Sequence, residues 1–464
     1  MKKMRFFAIF LSFLLAASAL TVPALGASDD PAVTEGCHSI DAAMTLSEEG
    51  KLTETAQAIV LYERNSGTML YTWNPDAKIY PTSMVKLMTV LVALENGDPD
   101  DVVTVTRKVL DQVAIGSVSA NLKSGEEITL RDLMYCTMVA SANDAATVIA
   151  NYIGGSASAF VDMMNEKAAA LGCKGTNYSN VHGLHDEDTY TTARDICRIT
   201  QAALENEMFR TMFCTSTYTV PATNKSAERV IETTNYMMSD KVYQKYYDKR
   251  VIGGKTGATD KGGRCLTLLA EDNGMEILCV LMGATPTVAE NGSLSAFGSF
   301  EESQVIVDYA FKSFEYRQVF FEGQSLSQYP VDGGANDVVT QAAESASTIL
   351  PVDTDESLLK WVYEKDAGQL TAPLEIGDKI GSVQAWYGNK CLAQTDMVAI
   401  NRVEKYQAPV VPEKPKAHTD GGSWLMLFLA LLGIAFAVFA VSIGMRAIRI
   451  MKYQRRRNRR RGRR

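Results

Sequence analysis

Two apolar runs lie near the ends of the chain. Residues 6–20 carry no charge and follow three basic residues, a pattern typical of an export signal with a cleavage site near residue 26. Residues 424–445 form a second uncharged run, of 22 residues, which is long enough to cross a bilayer as a helix. We therefore expect a signal peptide over residues 1–26 and one transmembrane helix over residues 424–445.

Strand-like patterns open and close the segment between these runs. Residues 57–73 are β-like on both sides of an Asn-Ser-Gly turn signal, and residues 266–282 are β-like around an Asn-Gly turn. Helical spacing of apolar residues lies between the two hairpins, for example over residues 84–94. The pattern predicts an α+β domain over residues 56–312, with a helical subdomain and an antiparallel sheet that joins the two ends of the domain.

The character of the chain changes after this domain. Residues 315–405 alternate short β-like runs with glycine-containing turns and predict a small all-β domain. Residues 406–422 contain three prolines and predict a semi-stiff spacer, whereas residues 27–55 are small and polar and predict a linker. Residues 446–464 carry eleven Lys or Arg and no acid, which predicts a cytoplasmic tail and extracytoplasmic domains by the positive-inside rule.

The charge and the cysteines exclude some classes of function. The net charge is −8 although the tail is strongly basic, so the exported part is acidic and we expect no nucleic-acid partner. The eight cysteines lack the spacing of metal ligands, and we predict neither a metal nor a cofactor. Cys136 and Cys279 lie in apolar stretches and are expected in the core. Disulfides are possible in an exported protein, but the spacing does not identify pairs.

The first candidate for chemistry is a serine followed three residues later by a lysine. Ser83 and Lys86 share a face of the predicted helix, so the amine can reach the hydroxyl. A serine hydroxyl is a poor nucleophile until a base takes its proton. Lysine can act as that base when burial or a nearby cation lowers its pKa, and the sequence offers such a cation in Lys255.

Two further motifs supply complementary groups. Ser141 and Asn143 offer a hydroxyl that can relay a proton and an amide that can bind a substrate amide. Lys255 and Thr256 offer a cation and a hydroxyl for a substrate carboxylate. Gly257 completes this KTG motif and allows a peptide to approach the strand edge.

Each motif alone is weak evidence, because the chain contains a second SxxK and a second SAN. The second SxxK is formed by Ser357 and Lys360, and the second SAN begins at Ser119. Only Ser83 precedes both an SAN and the single KTG, with a helical region between them. Ser357 lies in the predicted β domain, and we interpret it as part of a solvated helix or turn.

In this order the motifs resemble those of the penicillin-binding proteins and serine β-lactamases. The chain is most similar to the low-molecular-mass D-alanyl-D-alanine carboxypeptidases, and its β domain resembles their C-terminal domain. The context of the second motif also selects Ser141 over Ser119. The main matching blocks are residues 80–89, 125–126, 141–146, 164–168, 171–172, 180–184, 190–193, 254–259 and 263–266.

The resemblance implies a role for each residue in the reaction. Ser83 would be the acylated nucleophile and Lys86 its general base. Ser141 and Asn143 would assist proton transfer and substrate positioning. The enzyme would remove the terminal D-alanine from peptidoglycan stem pentapeptides, and β-lactam antibiotics would inhibit it covalently.

The resemblance also implies the substrate contacts. Lys255 and Thr256 would hold the terminal carboxylate, while Gly257 and Ala258 would line the strand edge. The backbone N–H groups of Ser83 and Ala258 would form the oxyanion hole, worth about 3 kcal/mol per donor in related chemistry.

Other interpretations of the polar residues are weaker. His182 suggests a Ser-His-Asp triad, but the matching His-Gly-Leu of the family is a structural loop near the site. The acidic stretch that begins at His185 resembles a metal patch in composition, although a solvated loop explains it better.

Two other functions compete with the carboxypeptidase. A β-lactamase of class A needs a glutamate that activates water, and the expected Glu-x-x-x-Asn spacing is missing near His182. A non-catalytic wall-binding protein with the same fold would have lost a motif, whereas all three are present. Many relatives carry an amphipathic C-terminal helix that lies on the membrane. Residues 424–445 lack a polar face and are expected to span it.

Overall fold

The computed structural model describes residues 50–366, 368–409 and 422–461. The predicted signal peptide, most of the predicted linker, most of the predicted spacer and Cys37 lie outside these ranges. The helices are α1 Val85–Asn96, α2 Arg107–Leu110, α3 Leu130–Met138, α4 Asn143–Gly154, α5 Ala157–Ala170, α6 Ala193–Leu204, α7 Glu207–Phe213, α8 Ser299–Ser313 and α9 Ser423–Arg461. The strands are β1 Ala58–Glu63, β2 Thr68–Trp73, β3 Val102–Thr104, β4 Glu127–Thr129, β5 Thr217–Val220, β6 Arg229–Glu232, β7 Val251–Thr259, β8 Gly263–Asp272, β9 Met275–Ala284, β10 Thr287–Val288, β11 Leu294–Ala296, β12 Phe314–Phe320, β13 Ser325–Tyr329, β14 Val338–Ala342, β15 Ala346–Pro351, β16 Leu359–Lys365, β17 Lys379–Tyr387 and β18 Lys390–Ala399.

A five-stranded antiparallel sheet joins the two ends of the first domain in the order β2-β1-β9-β8-β7. The N-terminal hairpin pairs with β9 through β1. Strands β8 and β9 are joined by Asn273 and Gly274, whose φ angles of 52° and 80° suit the tight turn that the sequence predicts. The predicted α+β fold with a closing antiparallel sheet is confirmed. Strand β7, which carries the KTG motif, lies at one edge.

Both faces of this sheet are covered, so its strands are apolar on both sides. Along β1, Ala58 and Val60 join the core on the side of α1, whereas Ile59 and Leu61 join the core on the side of α8. All ten residues of β9 are buried, as expected for a strand with neighbours on every side. Burial of each large aliphatic side chain contributes about 1.5–3 kcal/mol, which makes the sheet a firm base for the site.

Helix α1 lies inside the helical subdomain. Its first nine residues, from Val85 to Ala93, are buried, and it contacts α3, α4, α5 and α6. The predicted helix over residues 84–94 is confirmed. Because neighbours enclose α1, the residues at its start have little freedom to move.

The second part of the chain is all β, as predicted. A five-stranded sheet has the order β13-β14-β18-β17-β16, and β12 pairs with β15 beside it. Two small apolar clusters form its core, one around Val383 and Phe320 and one around Ile380 and Val403.

The cysteines of the described residues include several core thiols. Cys136 and Cys279 are buried and free, as expected from their apolar surroundings, and burial raises the pKa of each to about 12. Cys391 is disulfide-bonded. Within the described ranges, no group of three His, Cys, Asp or Glu residues is arranged to hold a metal ion.

The C-terminal helix α9 belongs to a separate unit, Tyr406–Arg464. Its segment Trp424–Arg455 contains an 18-residue stretch with a mean hydropathy of 2.7 and is the one helix of the described residues long and apolar enough to cross a membrane. The helix continues past residue 445, where the apolar run ends, to Arg461. Its continuation contains no glycine or proline and is rich in arginine, a good helix former.

Candidate active site

The first SxxK pair lies where α1 begins. Ser83 belongs to a 3-10 turn, Thr82–Met84, and Lys86 lies in the first turn of α1. The Lys86 amine donates hydrogen bonds to Ser83 Oγ at 3.2 Å and to the backbone carbonyl of His182 at 2.6 Å. Lys86 is 0% exposed, whereas Ser83 is partly exposed. A dehydrated amine therefore contacts a hydroxyl that substrate can reach.

Two effects lower the pKa of Lys86 well below its usual value. Burial is the larger, and the positive charge of Lys255 is the second, while the carboxylate of Asp144 acts in the opposite direction. A lysine with a lowered pKa can be neutral near neutral pH and then accept a proton. Lys86 thus has the property that a general base needs.

Ser141 and Lys255 form a second pair of a hydroxyl and an amine. The Lys255 amine donates to Ser141 Oγ at 2.8 Å and to the carbonyl of Thr256 at 3.0 Å. Lys255 is 1% exposed, and burial lowers its pKa to about 7. Ser141 has a φ of 60°, a left-handed conformation uncommon outside glycine. The fold thus brings together the second and third motifs, which are 114 residues apart.

Helix α4 begins two residues after this serine. Asn143 is its first residue and is 4% exposed. Asp144 accepts hydrogen bonds from Ser119 Oγ at 2.6 Å and from the backbone N–H groups of Ala120 and Leu122 at 2.9 and 3.0 Å. The second SAN is therefore a structural partner of the first, because its serine fixes a segment next to the site.

The KTG motif runs along β7 beside the Ser83 turn. A Cβ added at Gly257 would lie 2.0 Å from Thr82 Oγ1 and 2.8 Å from the backbone nitrogen of Ser83. The close approach of strand and turn therefore requires glycine at this position. Thr256 and Ala258 flank it, and both line the cleft above Ser83.

Thr82 has an unfavourable backbone conformation directly before Ser83. Its φ of 53° is costly for a β-branched residue. The carbonyl of Thr82 packs against Gly183, where an added Cβ would lie 1.8 Å from the oxygen. The loop at residues 182–183 thus holds both the Ser83 turn and, through the His182 carbonyl, Lys86. The sequence did not reveal this support, because a backbone carbonyl has no residue signature.

We expect Gly183→Ala to destabilise the protein by about 2 kcal/mol or more and to slow acylation of Ser83, because the new methyl group displaces the Thr82 carbonyl. Gly155→Ala is the matched control, since Gly155 has a similar φ of 73° and open space around it. It should cost only about 1 kcal/mol, with normal acylation. Thermal unfolding and labelling by a fluorescent penicillin measure the two effects. Equal effects of both substitutions would contradict the supporting role of the loop.

Ser83 opens into a cleft of about 240 Å³ between β7 and the start of α8. Of the described residues in its lining, Arg264 is the only charged one. The lining consists of Ser83, Val118, Ser141, Thr234, Tyr236, Thr256, Gly257, Ala258, Arg264, Cys265, Phe297, Ser299 and Phe300. Thr234 also contacts Thr256 through its hydroxyl oxygen, a connection that no sequence motif indicated.

The two histidines of the described residues, His182 and His185, have structural contacts. The Nδ1 atom of His182 accepts a hydrogen bond from the backbone N–H of Leu184 at 3.2 Å, and burial followed by the charge of Lys86 lowers its pKa to about 4. The ring nitrogen that a triad carboxylate would orient is thus occupied. His185 packs edge-on against Tyr80, with ring centroids 4.6 Å apart. These contacts favour the interpretation of both as loop residues.

The second SxxK lies outside the cleft. Ser357 is exposed in a 3-10 turn of the β domain, and its backbone N–H donates to Asp355 at 2.9 Å. Lys360 is exposed as well. Neither Ser357 nor Lys360 lines the cleft, so this pair has no enclosed site for a substrate.

Comparisons with known proteins agree with these features. The D-alanyl-D-alanine carboxypeptidase family matches residues 43–286, and the C-terminal domain of penicillin-binding protein 5 matches residues 314–405. The D-alanyl-D-alanine carboxypeptidase DacA of Haemophilus influenzae is 30% identical over 357 residues, which are 75% of this chain and 85% of the relative. DacF of Bacillus subtilis is 27% identical over 364 residues, 76% of this chain and 87% of the relative.

A solved structure gives the same result. Penicillin binding protein 5 from Haemophilus influenzae superposes with a TM-score of 0.58 at 28% identity, and the match covers 77% of this chain and 100% of that chain. The family match covers more than half of the sequence. The chain therefore belongs to the D-alanyl-D-alanine carboxypeptidases, the low-molecular-mass penicillin-binding proteins, which are serine hydrolases.

Proposed function

We propose that this carboxypeptidase removes the terminal D-alanine of peptidoglycan stem pentapeptides through an acyl-enzyme on Ser83. One observation carries the proposal: the fully buried amine of Lys86 lies 3.2 Å from Ser83 Oγ. Burial and the charge of Lys255 favour the neutral amine that can take the hydroxyl proton.

In the acylation step, Ser83 Oγ attacks the carbonyl carbon of the penultimate D-alanine while Lys86 takes the hydroxyl proton. Negative charge develops on the carbonyl oxygen, which the backbone N–H groups of Ser83 and Ala258 stabilise. Collapse of this intermediate breaks the peptide bond. The leaving amine of the terminal D-alanine takes up the proton, with Ser141 as the relay.

Water completes the reaction. It attacks the ester carbon, its proton returns to Ser83 Oγ through Lys86, and the shortened peptide leaves with a new carboxylate. The small single catalytic domain favours water over a second peptide as the acceptor, so carboxypeptidation dominates over transpeptidation.

The same attack opens the ring of a β-lactam. In that reaction the amine remains tethered to the acyl group, so the leaving group stays in the cleft and impedes water. We therefore propose covalent inhibition by penicillins. No carboxylate lies among the described residues that line the cleft, and this supports slow hydrolysis of the adduct and disfavours the β-lactamase alternative.

Two assays of the purified protein test the proposal. Incubation with a muramyl pentapeptide is followed by measurement of released D-alanine, and incubation with benzylpenicillin is followed by intact-mass detection of the adduct. We expect release of one D-alanine per peptide and one adduct per chain. A protein that is not acylated and releases no D-alanine would be a non-catalytic wall-binding protein.

We also propose that α9 anchors the enzyme, with the catalytic domain outside the membrane and the basic tail in the cytoplasm. The uncharged run before the tail and its high hydropathy support a span. The excess of Arg and Lys on one side supports the orientation.

Alkaline carbonate washing of membranes should leave the protein in the pellet, because a spanning helix resists this treatment. A variant that ends at residue 405 should appear in the soluble fraction. Release of the full chain by the wash would contradict the span and favour a surface-bound helix.

A further inference from the structure

Strand β16 of the β domain, Leu359–Lys365, is an open sheet edge. It ends the order β13-β14-β18-β17-β16, and no described strand pairs with its outer side. Its pairing with β17 runs over seven residues without a register shift, and six of these seven residues are exposed. A regular edge strand presents a row of unpaired N–H and C=O groups, so β16 is a template on which another strand can pair.

The opposite edge of the same sheet is less suited to such pairing. Its strand β13 is five residues long, and its register with β14 shifts between Ser325 and Gln328. An irregularity of this kind interrupts the row of free backbone groups and protects an edge from further strands. Strand β16 has neither a register shift nor a proline. Of the two edges, β16 is therefore the one that is open to a partner.

Two aromatic side chains of β16 extend the core of the β domain to this edge. Trp361 lies opposite Ala385 in the pairing with β17, and its ring packs edge-on against Phe320 with centroids 5.2 Å apart. Tyr363 lies opposite Val383. Because cross-strand partners project from the same face of a sheet, both rings are on the face of the cluster around Val383 and Phe320. They are nevertheless 40% and 43% exposed, so the core is left uncovered at the edge.

The sequence of β16 is complementary to itself in an antiparallel arrangement. When Val362 lies opposite the same residue of a second copy, Lys360 lies opposite Glu364 of that copy. In the same register Trp361 lies opposite Tyr363 of the second copy. Opposite charges and pairs of aromatic rings are both favourable cross-strand neighbours. A two-fold axis through Val362 produces each of these contacts twice, as in an isologous dimer interface.

We propose that β16 is a homodimer interface, in which the β16 strands of two copies pair antiparallel around Val362 and join their five-stranded sheets. On the core face, the rings of Trp361 and Tyr363 cover each other across the axis. On the other face, Lys360 and Glu364 form two ion pairs. A strand with a different charge pattern places like charges opposite each other, which is unfavourable. The charge match therefore selects a second copy of this chain as the partner.

Cysteine cross-linking of the full-length protein tests the register. The Cα atoms of directly opposite residues are about 4.5–5.5 Å apart, which a disulfide can bridge, so Val362→Cys should form a linked dimer on mild oxidation. Lys360→Cys is the matched control, because the two copies of this residue lie about 14 Å apart in the proposed register. It should remain monomeric on a non-reducing gel, as should the wild type. No dimer of Val362→Cys, or equal amounts from both variants, would overturn the proposal.

Charge reversal tests whether the partner is a second copy. Lys360 and Glu364 are exposed, so their replacement leaves the core intact. In the Val362→Cys protein, Lys360→Glu or Glu364→Lys places two pairs of like charges across the axis and should slow cross-linking roughly 5- to 30-fold. A mixture of the two charge variants again has opposite charges at every pair and should recover the rate. Unchanged rates in the single variants, or no recovery in the mixture, would contradict the homodimer.

Discussion

Replacing Ser83 by alanine is expected to remove the penicillin adduct and to lower D-alanine release at least about 10⁴-fold. The substitution deletes the oxygen that forms the acyl bond, while Lys86 and the cleft keep their packing. No other described hydroxyl contacts a buried amine within an SxxK pair, because the second pair is exposed. Intact-mass spectrometry with benzylpenicillin and D-alanine release from a muramyl pentapeptide measure the loss.

Ser357→Ala provides the matched control for this experiment. It changes the serine of the other SxxK, in an exposed turn of the β domain, and should leave acylation and turnover unchanged. Both variants should unfold at the wild-type temperature. A stoichiometric adduct on Ser83→Ala would show that another residue is the nucleophile.

The closing sheet was predictable because its strands follow simple rules. Apolar runs and turn residues mark the β8–β9 hairpin, and the Asn273-Gly274 turn has the backbone that those residues favour. Burial on both faces requires continuous apolar strands, and β9 is such a strand. The local sequence pattern and the packing of the sheet agree here, so the apolar runs and turn residues alone are sufficient to predict the sheet.

The Lys86 amine reaches Ser83 as the SxxK spacing predicts, whereas the contact of the Lys255 amine with Ser141 was not predicted from any motif. The groups that hold these site residues in place could not be predicted from the sequence. The His182 carbonyl receives the Lys86 amine across 96 residues of sequence, and any residue type can supply a carbonyl. The second SAN has the sequence of a chance repeat, although the Ser119 hydroxyl donates to Asp144 next to the site. Long-range contacts of backbone or common polar groups carry no spacing that a sequence pattern can reveal.

The lining of the cleft is also formed by long-range contacts that the sequence pattern does not predict. Arg264 and Phe297 are separated by 32 intervening residues and meet only because the fold brings the segment just before α8 to the start of β8. The conformation of Thr82 was equally hidden, because threonine does not favour a positive φ. Such strain persists only where surrounding contacts, here with Gly183 and Gly257, determine it.

Replacing Lys86 by methionine is expected to slow acylation of Ser83 by about 10²- to 10⁴-fold, the usual contribution of a general base. Methionine fills a similar volume without a proton acceptor, so packing around α1 is preserved. Intact-mass kinetics with benzylpenicillin give the rate constant. Lys360→Met, in the exposed second SxxK, should acylate at the wild-type rate.

The pH profile of acylation distinguishes a base from a packing residue. The reaction needs unprotonated Lys86, so the rate should rise as the pH increases through its lowered pKa and be lost below it. Lys86→Met should lack this acid limb. Because the charge of Lys255 contributes to the lowering, Lys255→Met should raise the pKa of Lys86 and move the limb to higher pH. An acid limb that persists unchanged in Lys86→Met would assign the titration, and the base, to another group.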